Sequence, residues 1–143
     1  MQSFLKFLLL IAAGTAFGQP YPSKPVHLVV AFPPGGPVDI IARLITPRMS
    51  EALGQPIVVE NKTGASGNLA AAQVAKSAAD GYTILAHSSA YAVNASLFAD
   101  PGYDAQKDFI PVAVVASQPN LILVNAEFPA RSLAERRHVR ERR

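Results

Sequence analysis

The chain contains no cysteine and no tryptophan, and only 16% of its 143 residues are charged. The absence of cysteine excludes a disulfide framework, a thiolate metal site and a cysteine nucleophile. The three histidines, His27, His87 and His138, lie far apart and show no metal-binding spacing. Half of the residues are hydrophobic, which is too many for a disordered chain and enough for one modest domain with a core.

Nucleotide and catalytic motifs are also missing. The sequence has no G-x-G-x-x-G fingerprint, and the glycines of Pro33–Gly36 are not followed by the lysine of a phosphate loop. Ser88 lacks the G-x-S-x-G elbow of a hydrolase nucleophile. We therefore expect no cofactor and no enzymatic activity. The alternative is an α/β enzyme that uses the Pro33–Gly36 turn as an anion or oxyanion site.

The positive formal charge of +3 belongs almost entirely to the end of the chain. Residues 19–130 carry six Lys or Arg against eight Asp or Glu, whereas residues 131–143 carry six Arg against two Glu. A nucleic-acid-binding hypothesis would depend on this short tail alone, because the main part has no basic stripe. We expect no nucleic-acid partner.

Residues 1–18 have the pattern of a secretory signal peptide. Lys6 precedes the uncharged apolar run Phe7–Phe17, which is too short to span a bilayer. Small residues at Ala16 and Gly18 place the expected cleavage before Gln19. The alternative is a buried N-terminal helix. We expect export to the periplasm.

The stretch Val26–Arg43 predicts a strand, a tight turn and a helix. Val26–Phe32 is apolar and rich in β-branched residues, and Pro33–Gly36 forces a turn. The helix is predicted over Pro37–Leu53, with Gly54 as its stop. Pro47 predicts a kink, or two short helices that meet near Thr46.

The rest of the pattern predicts an α/β fold with a doubly wound, mostly parallel sheet. A second buried strand is expected at Ile57–Glu60 and a third strand at Tyr82–Ala86, and helices are expected at Leu69–Ala79 and Ala90–Phe98. Ligands in such sheets bind beyond the carboxyl ends of the strands. Those ends are Phe32–Gly36, Asn61–Asn68 and His87–Ala90.

Several motifs, in this order and spacing, resemble one family. They are Tyr21-Pro-Ser-Lys-Pro25, the FPPGG turn followed by Asp39, Ile57–Asn61, Gly64-Ala-Ser-Gly-Asn68, Asp80-Gly-Tyr-Thr83, Tyr103-Asp104 and Lys107-Asp-Phe109. From Tyr21 to Glu135 the chain is similar to Bug-type extracytoplasmic solute receptors of tripartite tricarboxylate transporters. The resemblance implies one lobe of a type II periplasmic-binding-protein fold. It also implies a small carboxylate ligand, membrane transporter subunits as partners, a monomer and no chemistry.

The resemblance divides the chain into a signal at 1–18, an incomplete N-terminal lobe at 19–130 and an Arg-rich tail at 131–143. After Glu135 no apolar helical stripe continues. This favours a shifted reading frame with an early stop and a missing second lobe, and a genuine basic tail is the alternative. The apolar runs Phe109–Ala116 and Asn120–Val124 are expected to be exposed, because the second lobe would supply their neighbours.

The strongest candidate for ligand contact is the turn after the first strand. Backbone amides of Gly35, Gly36 and Val38, with Pro34 beside them, are expected to hold a carboxylate at the helix start. The alternative is an ordinary strand-to-helix turn. For Asp39 the alternatives are a helix-capping role and a polar contact with the ligand.

Further candidates follow the second and third strands. Ser66, Gly67 and Asn68 could supply donors at the second helix start, and the hydroxyls of Ser88 and Ser89 could donate to a carboxylate. Asn94 is a further candidate. The alternative for the serines is a plain loop role, and His87 is expected to be neither a switch nor a ligand contact.

Export generates the first prediction. The mature protein should begin at Gln19 in the periplasm of a Gram-negative host, because signal peptidase cleaves after small residues. N-terminal sequencing of the periplasmic fraction checks this. A soluble cytoplasmic product that retains Met1 would contradict it.

Overall fold

The computed structural model describes residues 20–119, 121, 123–129, 132 and 135. The predicted signal peptide and most of the Arg-rich tail lie outside these residues. So does residue 130, and the predicted lobe boundary there stays a prediction. The chain divides into two compact units between Ala113 and Val114. Within the described residues, no helix is both long and apolar enough to cross a membrane.

The first unit alternates strands and helices. Its elements are β1 (Val26–Val30), α1 (Pro37–Leu53), β2 (Ile57–Asn61), a 3₁₀ turn (Ala65–Gly67), α2 (Asn68–Ala75), β3 (Thr83–Ala86) and α3 (Ala90–Leu97). The three strands form one parallel sheet in the order β2-β1-β3. This confirms the predicted doubly wound arrangement.

The central strand β1 carries the core. Val26, Val29 and Val30 are at most 1% exposed, because β1 has a neighbour on each side and a helix on each face. On one face Leu28 and Val30 form a cluster with Ala42 of α1. On the other face Val29 and Ala31 pack with Ala70 of α2. Because side chains alternate along a strand, β1 packs against α1 with one face and against α2 with the other.

Strand β2 is half-exposed rather than buried, which corrects the prediction. In the described sheet it pairs only with β1, so it lies at an edge. Val58 is 40% exposed, and Glu60 is exposed and pairs with His27 of β1. The predicted burial failed because an apolar run by itself does not distinguish an edge strand from a central one.

Helix α1 is one continuous helix, so the alternative of two short helices is wrong. Pro37 opens it and Gly54, with φ 67°, ends it in the left-handed region, as predicted. Pro47 lies inside the helix and has no N–H for the carbonyl of Arg43. The hydroxyl of Thr46 lies 3.5 Å from that carbonyl and donates to it. This local donor helps the helix to accommodate the proline.

Helix α2 ends at Ala75, four residues before the predicted Ala79. The hydroxyl and the amide of Ser77 both donate to the carbonyl of Val74, at 2.6 and 3.0 Å. A serine that bonds the preceding turn in this way competes with continued helix. Alanine content alone gave no signal for this stop.

The described residues of the two predicted apolar runs are exposed, as expected, except for the half-buried Phe109. No helix or strand is assigned to the described residues between 104 and 129. The side chains of the following residues are at least 80% exposed: Ile110, Val112, Val114, Leu121 and Leu123. Exposed apolar segments of this kind favour association with other apolar surfaces.

The end of α1 generates the second prediction. Gly54→Ala should lower the free energy of unfolding by about 1 kcal/mol, because a Cβ is disfavoured at positive φ. An added Cβ at this position would meet no atom within 4 Å, so only the backbone is affected. Urea unfolding followed by circular dichroism measures the difference. Gly54→Asn is the control and should lose less, since Asn tolerates this conformation; equal midpoints for Ala and Gly would contradict the prediction.

Candidate functional site

Three loops meet at the carboxyl edge of the sheet, where the sequence predicted them. The side-chain amide of Asn61, at the end of β2, donates to the carbonyl of Phe32 after β1 at 3.0 Å. The rings of Phe32 and His87, which follows β3, are 5.2 Å apart in an edge-to-face contact. With the order β2-β1-β3, the crevice beyond β1 and β3 is the switch point at which such sheets bind ligands.

The turn Pro33–Gly36 uses two of the three amides that were predicted to bind the ligand. The amide of Gly36 donates to the carbonyl of Pro33 at 3.1 Å, and Gly35, with φ +78°, donates to Asp39 Oδ2 at 2.8 Å. Both amides therefore already have acceptors in this structure, and their contact with a ligand stays a prediction. Pro34 is exposed on the turn but has no donor of its own.

The free donors lie one step further along, in the first turn of α1. Gly36 caps the helix without a side-chain bond, Pro37 has no N–H, and the first amide bonded to the cap is that of Ile40, at 2.9 Å. The amides of Val38 and Asp39 have no hydrogen-bond partner among the described residues. Sequence reasoning found Val38 and missed the Asp39 amide, although a proline at the first helical position leaves these two as the next donors.

The Asp39 carboxylate faces the protein rather than the crevice. Its residue is 2% exposed, and its oxygens accept from the Gly35 amide, from Arg43 Nε at 3.0 Å and from Asn61 Nδ2 at 2.8 Å. The Arg43 guanidinium, then the Gly35 amide and the Asn61 amide, lower the pKa of Asp39 to about 2. Asp39 thus fixes the turn; direct contact between its carboxylate and a ligand stays a prediction.

Asn61 and Arg43 are residues of the site that sequence reasoning missed. Asn61 Nδ2 donates to Asp39 as well as to the Phe32 carbonyl, and its Oδ1 accepts from Arg43 Nη2 at 3.1 Å. The i,i+4 spacing of Asp39 and Arg43 in a helix was the available signal for their ion pair. The role of Asn61 needed the neighbouring strand and had no local signal.

The segment Gly64–Gly67, which we call the left-handed turn, has positive φ at every residue. The φ angles are 130°, 47°, 56° and 93°, and the Gly67 amide donates to the Gly64 carbonyl at 2.9 Å. Ala65 and Ser66 are not glycines, and the left-handed region costs such residues about 1–2 kcal/mol each. Strain of this size persists only where the surroundings hold it. Ser66 is exposed on this turn.

A buried amide network holds the left-handed turn. Asn94 of α3 is 2% exposed and donates to the Ser66 carbonyl at 3.0 Å and to Asn68 Oδ1 at 2.7 Å. Asn68 is 4% exposed, and the Tyr103 hydroxyl lies between its Oδ1 and the carbonyl of Tyr91, at 3.4 and 3.1 Å. Asn68 and Asn94 therefore lie beneath the crevice surface in this structure. Their predicted contact with a ligand remains untested.

Gly67 is also buried, and a side chain there would collide with its neighbours. An ideal Cβ on Gly67 would lie 2.3 Å from His87 Nε2 and 3.1 Å from the Cβ of Ala31. Glycine is therefore required where the loop after β2 crosses the end of β1.

The two serines after β3 stand at the start of α3. Ser88 Oγ accepts from the Ala90 amide at 3.3 Å, which leaves its own hydrogen free to donate. Ser89 is exposed, and its hydroxyl has no partner among the described residues. The site thus offers two helix-start amides, from Val38 and Asp39, and three hydroxyls, from Ser66, Ser88 and Ser89.

These groups suit an anionic oxygen atom. Amides and hydroxyls donate hydrogen bonds, and the dipole of α1 adds a favourable field at its N-terminus. Among the described residues no three His, Asp or Glu side chains are grouped so that they could hold a metal ion. The arrangement is that of a ligand-binding α/β lobe.

The comparisons with known proteins agree. Residues 41–140 match the family described as tripartite tricarboxylate transporter family receptor. The chain belongs to this family. BugT of Bordetella pertussis is 41% identical over 115 residues, which cover 79% of this chain and 35% of BugT.

Two solved structures are similar in fold and sequence. The structure described as Rpa4515 of R. palustris with adipate is 42% identical with a TM-score of 0.70, and the match covers 86% of this chain and 42% of that one. MatC from Rhodopseudomonas palustris with bound malate is 43% identical with a TM-score of 0.67, covering 85% and 42%. The predicted periplasmic-binding-protein lobe is confirmed.

The comparisons cover most of the chain, as the predicted resemblance from Tyr21 to Glu135 does: one relative matches over 129 residues, 90% of this chain. The chain spans about a third of the length of the curated relatives that it matches. The family match begins at residue 41, later than Tyr21, and runs to residue 140, inside the Arg-rich tail. The frame-shift hypothesis for that tail stays a prediction.

Asp39 generates the third prediction. Because its pKa falls from the usual value of 3.8 to about 2 on folding, the unfolded chain binds more protons between these values. Stability that depends on the Asp39 carboxylate should be present above about pH 4 and lost as the pH falls towards 2. Asp39→Asn should therefore be much less stable than the wild type at neutral pH, and the difference should shrink below about pH 4.

Urea midpoints at several pH values measure this difference. Glu51→Gln, an exposed change on the same helix, is the matched control and should leave the acid profile unchanged. A gap between Asp39→Asn and the wild type that stays constant down to about pH 2 would contradict the prediction.

Proposed function

We propose that this chain is the N-terminal lobe of an exported receptor that binds a small carboxylate and delivers it to the membrane subunits of a tripartite tricarboxylate transporter. The observation that carries the proposal is the set of donors at the switch point that have no acceptor among the described residues. The amides of Val38 and Asp39 stand on one side of the crevice, and the hydroxyls of Ser88 and Ser89 follow the neighbouring strand. The adipate and malate of the two similar structures support a dicarboxylate as the ligand class.

The donor set favours binding over catalysis. A hydrolase would need a base beside a nucleophile. The ring nitrogen Nδ1 of His87 instead lies 3.1 Å from the backbone carbonyl of Ser88, and Ser88 Oγ accepts from a backbone amide. No second member of a catalytic pair is found at this crevice among the described residues. The enzyme alternative therefore has no specific observation in its favour.

The remaining parts of the proposal concern the whole receptor. It acts in the periplasm as a monomer after cleavage before Gln19, and a second lobe closes over the ligand. A single lobe leaves most of a ligand in water, whereas small-molecule sites bury about 70–90% of it. Helix-start amides on an open lobe contribute about 1 kcal/mol or less, which does not offset the cost of immobilising a ligand.

The fourth prediction tests the donor set in a chimeric receptor. Residues 20–113 of this chain replace the matching segment of the adipate-binding structure, whose own remaining sequence supplies the second lobe. The chimera should bind adipate in calorimetry, and Ser89→Ala should weaken binding about tenfold because it removes an exposed donor. Ser96→Ala, an exposed serine on the same helix, is the control and should change nothing.

The 143-residue chain by itself is the second control. It should show no saturable binding at about millimolar adipate and no ligand-dependent rise in melting temperature, since only a formed site stabilises the fold by mass action. A folded chimera that ignores dicarboxylates, or equal affinities for Ser89→Ala and Ser96→Ala, would overturn the proposal.

A further inference from the structure

The side chain of His87 occupies the space that the missing side chain of Gly67 leaves open. The ideal Cβ position of Gly67 is 2.3 Å from Nε2 and 2.8 Å from Cε1 of the ring. The imidazole thus lies between the end of β1 and the left-handed turn Gly64–Gly67. It touches all three loops of the site, since it also contacts Phe32 and begins the loop after β3.

The hydrogen bonds of His87 define its neutral form. Nδ1 lies 3.1 Å from the Ser88 carbonyl, which can only accept, so Nδ1 carries the hydrogen. Nε2 then carries the lone pair of the neutral ring. This atom is buried and has no hydrogen-bond partner in the part of the chain that the structure describes.

The surroundings of the ring are apolar or uncharged. Phe32 meets it edge-to-face at 5.2 Å and Tyr91 of α3 at 5.8 Å, and the backbone of Gly67 lies beside it. Tyr91 is the titratable group that faces the ring. Burial raises the pKa of Tyr91, with smaller contributions from Tyr103, Asp108 and Asp104, so the phenol stays neutral near neutral pH.

Protonation of His87 is therefore disfavoured in this arrangement. Burial is the main cause that lowers its pKa below the usual 6.5, and the neighbouring carbonyls oppose it only in part. A proton on Nε2 would place a positive charge in a largely apolar site, at a buried atom that has no hydrogen-bond partner among the described residues, which favours a conformation that exposes the ring.

The left-handed turn needs the contacts that His87 supplies. Ala65 and Ser66 hold unfavourable φ angles, and the turn is held by Asn94 on one side and by the His87 ring on the other. If the ring leaves, the space beside Gly67 opens and one of these two supports is lost.

We propose that neutral His87 is a positioning residue that holds the left-handed turn in the shape that presents Ser66 to the ligand, and that protonation of the ring releases the turn. The consequence for ligand binding rests on the proposed function, whereas the release of the turn on protonation of His87 is independent of it. Because protonation favours the released state, the turn loosens as the pH falls below about 6.5. This proposal differs from the expectation that His87 is neither a switch nor a ligand contact.

The test follows the isotope-labelled full-length chain by NMR from about pH 8 to about pH 5. The Cε1 resonance of His87 reports its protonation, and the Gly67 amide, which donates to Gly64, reports the turn. The protection factor of the Gly67 amide should fall about tenfold with the midpoint of the His87 titration. The Ile40 amide, bonded to Gly36 in the first turn of α1, is the internal reference and should keep its protection.

Two variants separate positioning from a general effect of pH. His87→Phe keeps an aromatic ring but cannot be protonated, so its Gly67 protection should be the same at both ends of the pH range. His27→Gln removes the histidine of β1 and should behave as the wild type. If His87→Phe fails to fold, the wild type alone tests the proposal: the loss of Gly67 amide protection and the His87 titration should share one midpoint pH.

The proposal is overturned if Gly67 protection is constant through the His87 titration, or if His87→Phe keeps the pH dependence. In the chimera, affinity for adipate should fall between about pH 7.5 and about pH 5.5, where ordinary carboxyls remain mostly ionised, and His87→Phe should abolish this dependence. A chimera that binds no adipate would refute the proposed function, while the NMR result would still decide the role of His87.

Discussion

The Asp39 carboxylate is the interaction on which the site depends most. It is buried and accepts hydrogen bonds from the turn after β1, from its own helix α1 and from the end of β2. A buried carboxylate without hydrogen-bond donors would lower the stability of the fold, so the buried position of Asp39 depends on all of these donors. These contacts tie the turn to α1 and to the end of β2. The amides of Val38 and Asp39 are the donors of this region that keep no acceptor among the described residues.

The left-handed turn Gly64–Gly67 is held by packing and by buried amide hydrogen bonds rather than by a carboxylate. The left-handed turn places two non-glycine residues at positive φ, which a free peptide would avoid. Buried side chains from α3 and the loop after β3 compensate for this strain. Asn94 and Asn68 satisfy each other and the Ser66 carbonyl, and the His87 ring fills the space beside Gly67. The polar residues that surround the crevice thus divide into a buried group that shapes it and an exposed group that faces it.

The exposed apolar side chains outside the sheet have a simple physical meaning. Ile110, Val112 and Val114 alternate along a segment without regular secondary structure and are 84–91% exposed. The core of the first unit is formed by β1 with α1 and α2 and does not include them. Burial of such a run stabilises a fold by about 25 cal/mol per Å² of apolar surface. These residues therefore have the composition of a core and lack the neighbours that would make one.

The local signals of the sequence determined the elements and the edge at which the site lies. The β-branched run, the PPGG turn, the Pro37 start and the Gly54 stop act within a few residues, so β1 and α1 could be predicted almost to the residue. Only the tertiary structure decided the roles. Whether Asn94 faces the ligand or the interior and where the His87 ring lies depend on contacts between residues 20 or more positions apart. Which amide of the turn is free depends on whether the Asp39 carboxylate turns back on Gly35 or faces the crevice. A pattern of residue types carries no distances between such groups, and for that reason Asn61 and His87 could not be assigned before the three strands were placed side by side.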